Sequence, residues 1–164
     1  MTDIESRLAA LEQRLQLVED ELAIHRLLAR YGMSADCADA DQVASCFTSD
    51  GIYDVSGVLR MEGGDALRAM INGPGHQRLM PDAGHTVGPL AVRVHGDSAT
   101  AWGYSRTYHR ENGAIVLFRL AYNRIDLVRK ARQWRIARRT NRMVGEEGAQ
   151  EIYRQGLLEM SREA

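Results

Sequence analysis

The chain is sparing with several residue types: two cysteines, three prolines, one lysine (Lys130) among 21 basic residues, and aromatics at 6% of 164 residues. Cys37 and Cys46 stand nine positions apart with no CxxC partner, which suggests neither a zinc site nor a disulfide framework. They read as free thiols of a reducing compartment. No run approaches the roughly 18 apolar residues of a membrane span. The opening MTDIESRL has neither the basic region nor the apolar region of a secretory signal. The expectation is therefore a cytoplasmic chain without membrane contact. A basic excess is missing too: net charge is -1 and pI about 6.5, which gives no electrostatic footprint for nucleic acid. His-x-x-x-His and paired-cysteine spacings are absent, so a metal-free site is expected.

What is present is ordinary for a globular domain, with 45% apolar and 26% charged residues. The length suits one domain that can bury a core without a metal or disulfide staple. Its charge is unevenly placed. The first 21 residues carry six acids and two arginines, whereas Arg119 to Arg142 holds nine basic residues against Asp126 alone. Two solvated faces that complement each other, within the chain or between subunits, account for this more simply than an RNA-contacting stripe.

Ile4, Leu8, Leu11, Leu15, Val18 and Leu22 step by four and three, an a/d seam over nearly three heptads. The apolar pattern continues through Ile24, Leu27, Leu28 and Tyr31, so one long helix or two abutting helices fit. A short helix from about Asp41 to Phe47 should close at the turn signal Thr48-Ser49-Asp50-Gly51. The period then changes to two. Ile52 to Met61 reads as a hairpin around Ser56-Gly57, and 64–71 as a helix ended by Asn72-Gly73-Pro74-Gly75. The Gly- and Pro-containing segment up to Ala83 reads as a mobile lid. Four strand-like runs follow, at 85–94, 99–110, 114–128 and 133–144, with turns at His95-Gly96-Asp97 and Glu111-Asn112-Gly113. A polar helix from about Glu146 to Met160 ends the chain. Helices first and strands later indicate an α+β layer fold. A curved antiparallel sheet wrapped around the long helix would form a cone that holds a pocket.

The pattern Ile24-x-x-Leu27-x-x-x-Tyr31-x-x-x-x-Asp36, then Phe47-Thr48-Ser49-Asp50-Gly51-Ile52-Tyr53, then Gly84-His85-Thr86, resembles the SnoaL-like branch of the nuclear transport factor 2-like superfamily, over about residues 20 to 144. Within it, the chain is similar to scytalone dehydratase, bile-acid 7α-dehydratase and hexachlorocyclohexane dehydrochlorinase. The resemblance implies a cystatin-like α+β barrel at 23–145. The heptads, too short for a free-standing zipper, add an amphipathic helix at 1–22 laid on its own domain or on a neighbouring subunit as an oligomer contact, and the polar tail adds a C-terminal helix at 146–164. The resemblance also implies a homotrimer built through the outer face of the sheet, a dimer being next. By position, His85 matches the family's general base and Asp36 the aspartate that orients it. Tyr31 matches a residue that helps hold the leaving group, and Tyr53 falls near a tyrosine that in scytalone dehydratase helps bind the substrate oxygen through water. His109 falls where scytalone dehydratase has its second histidine. The third long strand departs from that dehydratase, reading Leu117-Phe118-Arg119 in place of small polar residues.

Taken alone, Asp36 reads as a solvated helix-end acid and His85 as a strand-initiating surface residue. Paired, they form a proton-abstraction unit, in which the carboxylate fixes the imidazole tautomer and raises its basicity. Trp102 reads as core or pocket wall. In the last strand, alternation puts Trp134, Ile136, Arg138, Thr140 and Arg142 on one face, and Arg142 is the candidate anchor for a substrate oxygen. The leading expectation is a cofactor-independent lyase, of dehydratase type, acting on a small hydrophobic ring compound that is aromatic or steroid-like. Isomerisation, cyclisation or retro-aldol cleavage in the same pocket are the alternatives. So is a non-catalytic carrier or assembly module, which would show a plugged cone and no close Asp36–His85 pair.

Overall fold

The structure, a computed structural model, describes residues 3–161. The apolar periodicity resolves into one helix, α1 (Asp3–Asp36), about 50 Å long at 1.5 Å per residue. Its two halves differ. Ile24, Leu27, Leu28, Tyr31 and Ala35 form a buried stripe. Residues 3–19 are exposed, and the seam from Ile4 to Leu22 keeps 46% to 75% of its surface. The heptads thus do not lie on their own domain. Burial begins at Asp20, whose Oδ1 accepts from Arg129 Nη1 at 2.6 Å and Trp134 Nε1 at 3.0 Å, tying the helix to the far end of the sheet.

The following elements are α2 (Ala40–Ser45), β1 (Phe47–Val55), β2 (Leu59–Glu62), α3 (Gly63–Asn72), α4 (Pro74–Gln77), β3 (Ala83–His95), β4 (Ser98–Glu111), β5 (Ala114–Lys130), β6 (Gln133–Met143) and α5 (Glu151–Ser161). Asp39 caps α2 by accepting from the Gln42 N–H at 3.0 Å. Asn112 and Gly113 both take positive φ, the geometry of a tight hairpin that matches strand twist. The expected lid contains α4, and its residues Gly75, His76 and Leu79 reach the cavity described below.

Three expectations are corrected. The signal Thr48–Gly51 is not a turn between elements but an irregularity inside β1, where the register to β6 shifts between Phe47 and Ile52. The last helix starts at Glu151, because Gly145 and Gly148 adopt left-handed φ and break the chain direction. The sheet is mixed, since β1 and β6 pair in parallel while all other neighbours are antiparallel. Four strands in the meander bring β6 back in the direction of β1.

The six strands run in the order β2-β1-β6-β5-β4-β3 and curve without closing. The inner face carries Ala99, Ala101, Ala121, Ile125, Leu127 and Ile136 against the buried stripe of α1. On the outer face α5 packs its Tyr153 ring on Tyr104 and Tyr122, at 5.3 and 4.7 Å between centroids. Gly156 permits close approach there, since a Cβ would meet the Trp102 indole at 2.6 Å. Among the described residues no helix is long and apolar enough to cross a membrane.

Candidate active site

Asp36 ends α1 and His85 is the third residue of β3. Gly32, one helical turn before Asp36, lets the two elements touch. A Cβ at Gly32 would stand 2.7 Å from the His85 carbonyl oxygen, so only glycine admits the strand this close to the helix. The Asp36 carboxylate then accepts from the His85 backbone N–H at 2.8 and 3.1 Å, and from ring Nδ1 at 2.6 Å. A carboxylate only accepts, so Nδ1 carries the proton and Nε2 holds the free lone pair. The His76 ring of α4 stacks on His85 at 5.7 Å, fixed by Nε2 donating to the Ala35 carbonyl at 2.9 Å. Burial pushes the His85 pKa below its ordinary value; Asp36 opposes the shift, while His76 and Arg139 add to it. The imidazole is therefore neutral, and basic, at neutral pH.

His85 faces a cavity of about 550 Å³. Its walls are mostly aliphatic and aromatic, including Val55, Met61, Met70, Ile71, Leu79, Val87, Phe118, Tyr31 and Tyr53. Burial pushes the Tyr31 phenol well above its usual pKa, with the Arg139 charge pulling the other way, so the group remains an O–H donor. Tyr31, Tyr53 and His85 share this cavity, and Asp36 stands against His85.

The other candidates lie elsewhere. Trp102 points to the outer face, under α5 and beside the Arg124 guanidinium. Arg142 is also on the outer face, where both of its Nη atoms bind Asp54 at 3.0 Å and hold that carboxyl below its usual pKa. His109 is on the same side of β4 as Thr107 but does not line the cavity. Its ring lies 6.0 Å from Phe118 and 3.5 Å from the Glu111 carboxylate. Among the described residues no three His, Cys, Asp or Glu side chains converge as a metal site.

In place of Arg142 the structure brings in Arg139. Opposite Asp126–Leu127 of β5, strand β6 advances two residues, from Arg138 to Ile136, so Ala137 is an extra residue. Such a bulge inverts which side chains face inward. Trp134 and Ile136 are inside before it; Arg139 and Asn141 are inside after it. Strict alternation carried through Ala137 therefore picks the wrong arginine. A second bulge, at Phe118, separates the Thr107–Arg119 and Tyr108–Leu117 pairs. It places both Phe118 and Arg119 at the cavity.

Arg139 is 3% exposed. Its guanidinium lies 4.8 Å from the Tyr31 ring centre and 4.7 Å from that of Tyr53, and its Nε donates to Asn123 Oδ1 at 2.9 Å. Asn123 and Asn141 in turn donate to Ser105 Oγ at 2.9 and 3.2 Å. Arg119 donates through Nη2 to Asn141 Oδ1 at 2.6 Å. This polar network under an apolar cavity was not legible from residue types alone.

A model of the SnoaL-like domain matches residues 16–140. The chain belongs to the SnoaL-like family. Among solved structures, a nuclear transport factor 2-like protein with a cystatin-like fold from Novosphingobium aromaticivorans is 37% identical over 88% of this chain and 96% of its own, with a TM-score of 0.84. A protein of unknown function from Mycobacterium tuberculosis is 25% identical over 93% of each chain, at TM-score 0.71. A scytalone dehydratase-like protein from Novosphingobium aromaticivorans, 20% identical over 80% of this chain and 88% of its own at TM-score 0.67, shares the fold. No curated protein matches the chain. The SnoaL-like assignment agrees with the resemblance read from Tyr31, Asp36, Phe47–Tyr53 and His85.

Proposed function

We propose that this SnoaL-like chain is a cofactor-independent lyase that removes water from a small hydrophobic ring compound, with His85 as the base. The observation that carries the reading is the 2.6 Å contact between Asp36 Oδ1 and His85 Nδ1 at the wall of an apolar cavity. In the elimination, Nε2 of His85 takes a proton from a ring carbon, and the released electron pair forms the C=C bond. The C–O bond of the neighbouring hydroxyl breaks, and the departing oxygen takes the Tyr31 proton to leave as water. The proton on His85 then restores Tyr31 through solvent, which closes the balance. Tyr53, across Arg139 from Tyr31, would hold a substrate oxygen, a role supported by its ring lying at the cavity wall. Proton transfer of this kind is typically worth about 10² to 10⁴-fold.

The open cavity and the Asp36–His85 contact support this reading over an assembly module, for which a plugged cone and no such pair are expected. We further propose a cytoplasmic homotrimer, in which residues 1–22 contact a neighbour with the seam that stands clear of its own domain. The part of the outer sheet face under α5 is covered by the chain itself, so the interface must use the remainder.

The test is a panel of hydroxylated ring ketones, with water loss followed by absorbance of the conjugated product and by mass. Turnover should fall about 10² to 10⁴-fold in His85→Ala and in Asp36→Asn. Full turnover in either variant overturns the dyad. A product of unchanged mass, or of two fragments, moves the reaction to isomerisation or carbon–carbon cleavage.

A further inference from the structure

The side chains around the cavity are unequal in charge. Its lining includes Arg106, Arg119 and Arg139 but no aspartate or glutamate. Arg106 turns away, with Nη1 donating to the Gly88 carbonyl and the guanidinium over the Tyr104 ring of the outer face. The other two stay inside. Elsewhere in the arginine-rich hairpin three guanidiniums meet carboxylates: Arg124 with Asp126 and Glu159, Arg129 with Asp20 and Asp97, and Arg142 with Asp54, while Arg135 binds the Gln133 side chain and Arg132 is exposed. Arg119 and Arg139 have none among the described residues. Their partners are neutral: Asn141 and the Met143 sulfur for Arg119, Asn123 and two tyrosine faces for Arg139. Asp36 is engaged by the His85 ring and N–H.

A guanidinium cannot shed its proton in a protein, so burying one without a counter-charge is costly. Here the cost is incurred beside a cavity, and the tyrosine faces and Asn123 occupy only one nitrogen and the flat sides of Arg139. Its remaining N–H donors are left for a ligand. Such a fork matches a carboxylate in geometry as well as charge.

From this we infer that the cavity takes ring compounds bearing a carboxylate, and that Arg139, with Arg119 beside the same network, binds that anion. The inference deepens the proposed function by naming the substrate class of the same cavity. It rests on that cavity being the substrate site and does not require the His85 chemistry.

Titration calorimetry on the full chain tests it with benzoate, naphthalene-2-carboxylate and a steroid carboxylate, each against its neutral carboxamide. At least one acid should bind about tenfold or more tightly than its amide. The preference should weaken with added salt and collapse in Arg139→Met and in Arg119→Met, and should persist in Arg132→Gln, a charge removed from an exposed turn. Two variants guard against Arg139→Met failing to fold, and circular dichroism checks both. Equal binding of acid and amide throughout the series, absent binding included, overturns the inference. So does an acid preference that survives in both arginine variants. His85→Ala separates the two proposals: an acid preference retained there, with or without turnover, belongs to the arginines alone.

Discussion

At the scale of single residues, the His85 imidazole sets the expected pH behaviour. Its pKa is lowered in the folded chain, mainly by burial. The base form should therefore persist below the ordinary histidine value of about 6.5. A kcat/KM profile on an identified substrate should lose activity on the acid side with a midpoint under that value; a midpoint above it contradicts the assignment. Stability follows the same sign. The folded state binds fewer protons than the unfolded chain, so this contribution is complete above the unfolded pKa and is lost as pH falls toward the folded one. Tyr31→Phe keeps the ring against Phe47 and Arg139 but removes the hydroxyl. Turnover should fall by about 10²-fold or more while the melting temperature stays close to that of the parent.

At the scale of elements, the contact between α1 and β3 decides whether Asp36 and His85 meet. Gly32→Ala adds a helix-favouring methyl, worth about 1 kcal/mol in a free helix. Yet that methyl meets a backbone oxygen that cannot rotate away. The expected result is a displaced β3 and a loss of turnover, measured beside the melting temperature; a fully active variant would show that the strand yields at no cost. Leu28, on the stripe facing the sheet, is 1% exposed, and Leu28→Ala should cost about 2 to 5 kcal/mol in denaturant unfolding. What was legible from sequence follows the same division. Period-four spacing from Ile4 to Tyr31 and period-two runs from His85 onward are properties of regular elements, and those elements appear close to where the pattern places them. The family pattern paired Asp36 with His85 across 49 positions, which composition alone could not do, and the two side chains meet. Bulges leave no such trace. Ala137 looks like any other strand residue, and alternation beyond it named Arg142 where Arg139 lines the cavity.

At the scale of the whole molecule, the first half of α1 is an exposed, charged arm whose apolar seam packs on nothing in its own chain among the described residues. Exposed apolar stripes of this extent mark association sites. Removing residues 1–19 should leave the core fold and the Asp36–His85 pair intact, since burial starts at Asp20. It should lower the assembly mass measured by sedimentation or mass photometry. A parent chain that is already monomeric contradicts the assembly reading. Charge is sorted on this scale as well. Three of the nine basic residues in the last hairpin, Arg124, Arg129 and Arg142, pair with acids from α5, α1 and β1, so part of the charge asymmetry is complemented inside one chain.

The bulge at Ala137 also makes the cavity's polarity depend on chain length. Loss of one codon there would carry Arg139 and Asn141 to the opposite side of the sheet together, or shift the whole strand by one pair. An alignment drawn without a gap at that place would assign a relative's cavity residues to the wrong positions. For this fold, a single insertion or deletion in the last strand is a route to a different ligand repertoire that no series of point substitutions retraces.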